Sequence, residues 1–356
     1  TGTAKPKRRR MRSMKAHIWD TGVFFSVLLL LITGLIALFS ASYTNAMFYK
    51  GSATYFIMRQ GIFAAIGLAA MIALSKFPYR MYAGIHNIIM WISVALLILV
   101  AIPGIGTWYN GARRWLFGFQ PSELAKLALI ITLSKALTRH PDKPIPNFRY
   151  FIYICIHFGI PALLIASQPD ICTLMVFCVI FVALLFVSGF ELRWMFLLGG
   201  IVAAGLTPII FYLASTNNFR WLRLVAFINP ESDPTGSSYQ IVNSKITIGS
   251  GGLYGKGAWS EGTLTHLNYV PENHTDFIFS VVGETLGFVG ALVLLTLYAF
   301  VIYRMLLLAF HTNDKFGQLI IVGVMAMLVF HVYENIGMCI GVMPITGIPL
   351  PFISYG

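Results

Sequence analysis

Long apolar runs recur from Thr21 to the end of this chain, and they carry far more greasy surface than one soluble core could bury. They lie at about Thr21–Ser40, Ile57–Leu74, Tyr82–Ile102, Glu123–Leu137, Tyr150–Ala166, Cys172–Gly189, Met195–Ala214, Phe277–Tyr303 and Leu319–Val342. A hydrocarbon core of roughly 30 Å asks for ~20 apolar residues per helix. Most of the nine runs approach that length, while the fourth and fifth are short. In lipid each backbone N–H and C=O must be satisfied within the protein, and for runs of this length that means helices. The expected fold is an all-α polytopic membrane bundle. A composition of 57% hydrophobic and 11% charged residues over 356 positions, with a mean hydropathy of +0.76, excludes the soluble classes. Ser354-Tyr355-Gly356 follow a turn rich in Pro and Gly with no polar tail, so nine helices are visible and a tenth is expected beyond them.

Lys and Arg set the orientation. With the amino terminus cytoplasmic, its tail carries Lys5, Lys7, Arg8, Arg9, Arg10, Arg12 and Lys15. The other inner connections carry Lys76, Arg80, Lys135, Arg139, Lys143, Arg149, Arg193, Arg304 and Lys315, so sixteen of the 25 basic residues lie inside. That orientation divides the chain into a basic cytoplasmic tail, 1–19, and a single transmembrane domain, 20–356. A large extracytoplasmic loop, 215–275, belongs to that domain. The net charge of +12 is read as orientation and attraction to anionic lipid, not as nucleic-acid binding. Cys155, Cys172, Cys178 and Cys339 lie in or beside apolar runs without CxxC spacing and read as small core residues.

Connections are short except for the loop Ser215–Thr275. At about sixty residues rich in Gly, Pro, Asn and Ser, it is long enough to be functional or disordered. Within it Trp221–Phe227 and Tyr239–Ile246 are amphipathic, which predicts helices on the outer face and a partly helical loop. The shorter outer loop Pro103–Pro121 sets Trp108, Tyr109 and Trp115 beside Arg113 and Arg114, either as interfacial anchors or as part of a site.

Acidic residues at membrane depth are costly and mark working groups. Asp276 stands at the threshold of the eighth apolar run, directly after the long loop. It is either a first-turn acid or helix cap, or a carboxylate free to face a cavity, and Thr275 offers an alternative cap. Glu123 and Lys126 are three apart, on one helical face, where an ion pair lowers the cost of burying either. That pair is structural, or Lys126 with Arg114 supplies fixed positive charge for an anion at the outer leaflet. Asp170 in Gln168-Pro169-Asp170 reads as a turn or cap residue. Glu284 and Glu334, the latter beside Asn335, rank below Asp276 as buried acids. The segment Gly249–Gly257 fails the phosphate-loop and dinucleotide patterns, because Ser250, Tyr254 and Gly257 stand at required positions. It reads as a flexible or turn-rich loop lining a site. The sequon Asn273-His274-Thr275 abuts the membrane and is discounted.

Several motifs together resemble the SEDS family (shape, elongation, division and sporulation). They are Gly111-Ala112-Arg113-Arg114-Trp115, Phe119–Lys126, Asn229–Pro234, Ser244–Leu253, Pro271–Phe279 and Gly347–Gly356. The resemblance runs from about Trp19 to the last residue, and the wording of Ser244–Leu253 is closer to the RodA branch, of cell elongation, than to FtsW, of division. It implies a SEDS-type bundle of ten helices and a peptidoglycan glycosyltransferase polymerising lipid II at the outer face of the bacterial inner membrane. The implied partners are a class B penicillin-binding protein, other elongation-machinery proteins and membrane lipid. The family's catalytic aspartate falls on Asp276, its Glu and Lys pair on Glu123 and Lys126, and its loop arginine on Arg114. Lys245, His274 and Glu284 complete the candidate substrate-binding or supporting residues. A donor sugar on a lipid diphosphate already has a stable leaving group, so one base suffices. Asp276 would take the proton of the attacking hydroxyl with inversion. Lys126, Arg114 or a divalent cation (Mg2+ or Mn2+), with Asp276 as a possible ligand, would steady the diphosphate. The competing readings are a lipid II flippase and a non-enzymatic scaffold.

Overall fold

The computed structural model describes residues 20–109, 112–138, 148–168, 170–191, 193–197, 199–200, 215–216, 223, 225, 227–229, 236–260 and 262–355. Among them the regular elements are helices apart from one short ribbon. The helix α1 (Thr21–Lys50) starts at Asp20, whose carboxylate accepts from the Val23 N–H at 3.1 Å, and stops at Gly51 with φ +66°. Next after α1 come α2 (Tyr55–Ser75) and the five-residue α3 (Arg80–Gly84). The run expected as one span, Tyr82–Ile102, is broken at Ile85, and only α4 (His86–Ala101) continues it. The loop Pro103–Pro121 contains an antiparallel ribbon. In it β1 (Thr107–Tyr109) pairs with β2 (Ala112–Trp115), with Trp108 opposite Arg113.

Four further spans match the apolar runs. They are α5 (Pro121–Leu137), which begins with proline where no N–H is needed, α6 (Phe148–Ser167), α7 (Ile171–Ser188) and, late in the chain, α10 (Lys315–Ile340). The amphipathic stretch Tyr239–Ile246 lies in α8 (Ser237–Ser250), and α9 (Ile278–His311) outlasts its apolar run by eight residues, to His311. Most of the expected span Met195–Ala214, most of the stretch Trp221–Phe227 and the basic tail lie outside the described residues. Six described helices, α1, α2, α6, α7, α9 and α10, have the length and apolar composition to cross a membrane. All four cysteines are free thiols.

Packing divides into two cores that share α10. Leu30, Ala37 and Ala41 of α1 meet Tyr298 and Val301 of α9 and Leu328 and Val332 of α10. On its other flank α10 places Leu319 and Val322 against Leu129 and Leu133 of α5, Ile154 of α6 and Phe177 and Ile180 of α7. By contrast α2 buries no residue and packs on α1.

The glycine-rich segment after α8 turns out to plug a break in α9. Gly287 has φ +67° and ψ −167°, so the helical ladder is interrupted there. The loop supplies the missing partners. Lys256 N donates to Glu284 O at 2.9 Å and Gly257 N to Thr285 O at 2.9 Å, while Phe288 N donates to Gly252 O at 2.9 Å and Val289 N to Leu253 O at 3.0 Å. The two backbones approach so closely that a Cβ on Gly255 would stand 2.3 Å from Thr285 O. That proximity explains the glycines; of the two readings of this segment, the turn-rich one holds, and the loop is docked on α9.

Candidate functional site

Two irregular segments meet over the C-terminal half of α10: the turns 271–277 that lead into α9, and 341–355 beyond α10. Three contacts staple them together. The Ser354 hydroxyl donates to Thr275 O at 2.7 Å, Tyr355 N donates to His274 O at 3.0 Å, and Asn335 Nδ2 donates both to Asp276 O at 2.7 Å and to Ile348 O at 2.8 Å. Asp276 is therefore held by its backbone. Its carboxylate makes no hydrogen bond or ion pair with the described residues, and Gly347 passes so close that a Cβ there would lie 3.1 Å from Oδ2. Only glycine suits that place, since Gly347 also has φ +75°.

The helix-cap reading of Asp276 fails. The cap residue of α9 is Phe277, with no side-chain cap bond, and Thr275 does not cap either. The Thr275 hydroxyl instead bonds Glu272, to its main-chain oxygen at 3.2 Å and its carboxylate at 3.1 Å. Burial pushes the Asp276 carboxyl up to about 6, with the Glu272 charge adding to the rise and Arg223 opposing it. The neighbouring His274 ring sits between Phe56 and Tyr355, its Nδ1 buried without a partner. Burial holds that imidazole below its usual range.

The expected pair on α5 forms. Glu123 Oε2 and Lys126 Nζ are 2.8 Å apart, with the Lys126 side chain 4% exposed and that of Glu123 54% exposed. A third member, not singled out from the sequence, is His331 of α10, whose Nε2 lies 3.2 Å from Lys126 Nζ. Four residues on from His331, on the same face of α10, comes Asn335, so this cluster sits one turn below the Asp276 anchor. Glu123 and His331 line an apolar cavity of about 620 Å³, which runs between α1, α9 and α10 down to Asp20. There Arg304 of α9 pairs with Asp20 through Nε at 3.2 Å.

Arg114 does not stand alone. Its Nε donates to Gln168 O at 3.3 Å and its guanidinium lies 3.6 Å from Asp170. Asp170 also caps α7 and accepts from Gln120 Nε2 at 3.0 Å, as its turn-and-cap reading expects. The Cys172 thiol at the start of α7 feels Asp170, Arg114, Arg223 and Asp276 together, so these charges gather at one end of the bundle. Lys245 is more distant in role. Its ammonium packs on Gly341, the residue that ends α10, where a Cβ would lie 2.4 Å from Nζ and the helix dipole favours a cation.

Glu284 is wholly buried, and its carboxylate is saturated. It accepts from Lys256 Nζ at 2.8 Å, Ser250 Oγ at 3.2 Å, and the main-chain N–H groups of Leu264 and Thr265 at 2.9 Å each. That arrangement fixes the loop onto the break in α9. Among the described residues no three His, Cys, Asp or Glu side chains converge on a point. Asp276, with an unengaged carboxylate and Glu272 in electrostatic reach, fits a hard cation only in the manner that leaves most of the coordination to phosphate oxygens and water.

The family model described as "Cell cycle protein" and named for FtsW, RodA and SpoVE matches residues 21–356. The peptidoglycan glycosyltransferase MrdB of Escherichia coli K12 is 38% identical over 296 residues, 82% of this chain and 78% of that protein. Among solved structures, a chain from a peptidoglycan synthase complex, studied for its coordination of polymerization and crosslinking, superposes with a TM-score of 0.76 at 29% identity. It covers 95% of this chain and 92% of its own. The crystal structure of the rod shape determining protein RodA of Thermus thermophilus gives 0.68 at 29% identity, covering 95% and 90%. A multi-pass helical architecture, the motifs from Arg114 to Gly356 and a family match over nearly the whole length agree, and the chain belongs to the FtsW/RodA/SpoVE family of cell cycle proteins.

Proposed function

We propose that this protein is a peptidoglycan glycosyltransferase of the RodA kind, polymerising lipid II into glycan strands at the outer face of the bacterial inner membrane during cell elongation. The observation that carries the reading is the Asp276 carboxylate: without a hydrogen bond or ion pair among the described residues, fixed through its own carbonyl by Asn335, and raised to about 6. A general base works best when its pKa lies near the operating pH, and the rise at Asp276 supports that role.

In the proposed step the acceptor sugar hydroxyl loses its proton to Asp276 as its oxygen bonds the anomeric carbon of the donor. The bond from that carbon to the diphosphate oxygen breaks on the opposite face, inverting the centre, and the lipid diphosphate departs with the electron pair. The protonated carboxyl then returns its proton to water. Lys126 and Arg114 supply positive charge on the leaving-group side, Arg114 while remaining paired with Asp170. A Mg2+ or Mn2+ ion held by Asp276, with Glu272 near it, would add charge neutralisation of the diphosphate. The apolar cavity suits the isoprenoid chain, because its wall is hydrocarbon apart from Asp20, Ser75, Glu123 and His331. The distribution of Lys and Arg supports a cytoplasmic amino terminus, and a class B penicillin-binding protein, with other elongation proteins, would crosslink and organise the product.

Reconstitution of the purified protein into liposomes with fluorescent lipid II tests this reading. Glycan ladders are expected; translocation of the lipid without polymer would replace the enzyme by a flippase, and neither outcome would leave a scaffold.

A further inference from the structure

The cluster below the Asp276 anchor contains one group with no assigned part in the reaction. His331 is buried, lines the cavity and reaches across from α10 to α5. We propose that His331 is a positioning residue that clamps the Lys126 ammonium behind the cavity wall that His331 and Glu123 line, ready for the anionic head of the lipid donor. This rests on the glycosyl-transfer reading above.

A lysine ammonium has three donors and no acceptor. Glu123 Oε2 takes one donor at 2.8 Å, and His331 Nε2, at 3.2 Å, can only be an acceptor for a second. The imidazole is therefore neutral, with its proton on Nδ1. Glu123 alone would be a poor clamp: it shares α5 with Lys126 and its side chain is 54% exposed, so the pair could swing together toward the open side. His331 supplies the anchor from a second helix, which fixes the ammonium in three dimensions and leaves its third N–H for an incoming anion. Both residues that grip Lys126 line the cavity, so the cation is held directly behind the polar part of its wall while the remainder accepts hydrocarbon. Donors held in advance where charge develops act on the transition state without reorganising.

The test compares His331→Gln and His331→Met, similar in volume, in steady-state polymerisation of labelled lipid II by the purified protein. Each rate is normalised to the folded fraction, and thermal melting is run alongside. Gln can accept from the ammonium and should keep kcat within about threefold of the parent. Met cannot, and should lose roughly 10- to 100-fold in kcat with little change in KM or melting temperature. In a Lys126→Met background the His331→Met change should cost nothing further. A Met variant with parental kcat, a Gln variant that loses more than tenfold, or full additivity with Lys126→Met would each overturn the proposal. If His331→Met does not fold, the Gln variant decides alone. Asp276→Asn measured in parallel separates the two ideas: its retained polymerisation would remove the proposed function, whereas a failure at His331 with Asp276→Asn inactive removes only the clamp.

Discussion

Asn335 Nδ2 stands 2.7 Å from the main-chain oxygen of Asp276, so a side chain buried in α10 fixes the backbone of the residue on which the chemistry is placed. The same NH2 group reaches Ile348 O at 2.8 Å, and one amide thereby ties both site segments to one helix.

Replacing Asn335 by Leu removes both donors and leaves two carbonyls short of a partner. The expected cost is about 1–3 kcal/mol of stability, read as a lower melting temperature. A larger loss of polymerisation per folded molecule is expected, because Asp276 then loses its anchor. Unchanged activity in a folded Leu variant would show that the anchor is dispensable.

The pH profile follows from the raised Asp276 carboxyl. A base must be ionised to accept a proton, so kcat/KM should fall as pH drops through about 6, roughly tenfold per unit below it. Glu272→Gln removes one cause of the rise and should move the acid limb to lower pH by a fraction of a unit. Stability runs the opposite way. A carboxyl whose folded pKa is raised from 3.8 penalises the folded state increasingly as pH climbs from 3.8 to about 6, and the full penalty remains above that. Asp276→Asn should therefore melt higher than the parent at pH 7 and no higher near pH 3.5.

The docked glycine loop makes a sharp contrast among three glycines. Gly255→Ala and Gly287→Ala each place a methyl within 2.3 Å of backbone atoms at positive φ, and either should destabilise by more than the ~1 kcal/mol of the conformational strain alone. Gly249→Ala, in open space on α8, should be neutral or stabilise by up to about 1 kcal/mol. Thermal melting of the three variants measures this directly.

The membrane class and most spans could be read from the sequence because hydrophobic runs of helical length have few other uses. Glu123 and Lys126 were also legible, since i and i+3 share a helical face whatever the tertiary structure. His331 and Asn335 were not, because a polar residue inside an apolar run shows its cost and not its partner, and theirs lie 205 and 59 residues away. The break at Gly287 escaped notice for a related reason. Glycine in an apolar run passes for an ordinary small residue until another glycine-rich segment, Gly251–Gly257, is found against it. The hairpin Thr107–Trp115 looked like an interfacial loop because its aromatics and arginines satisfy both descriptions.

The most direct test of Asp276 as the base is single-turnover transfer from labelled lipid II by the parent and Asp276→Asn proteins, at matched folded concentration and saturating substrate. The amide keeps the shape and cannot take the proton, so the rate should fall by about 10²- to 10⁴-fold while lipid II binding persists. An Asp276→Asn protein that transfers sugar at the parental rate would contradict the account.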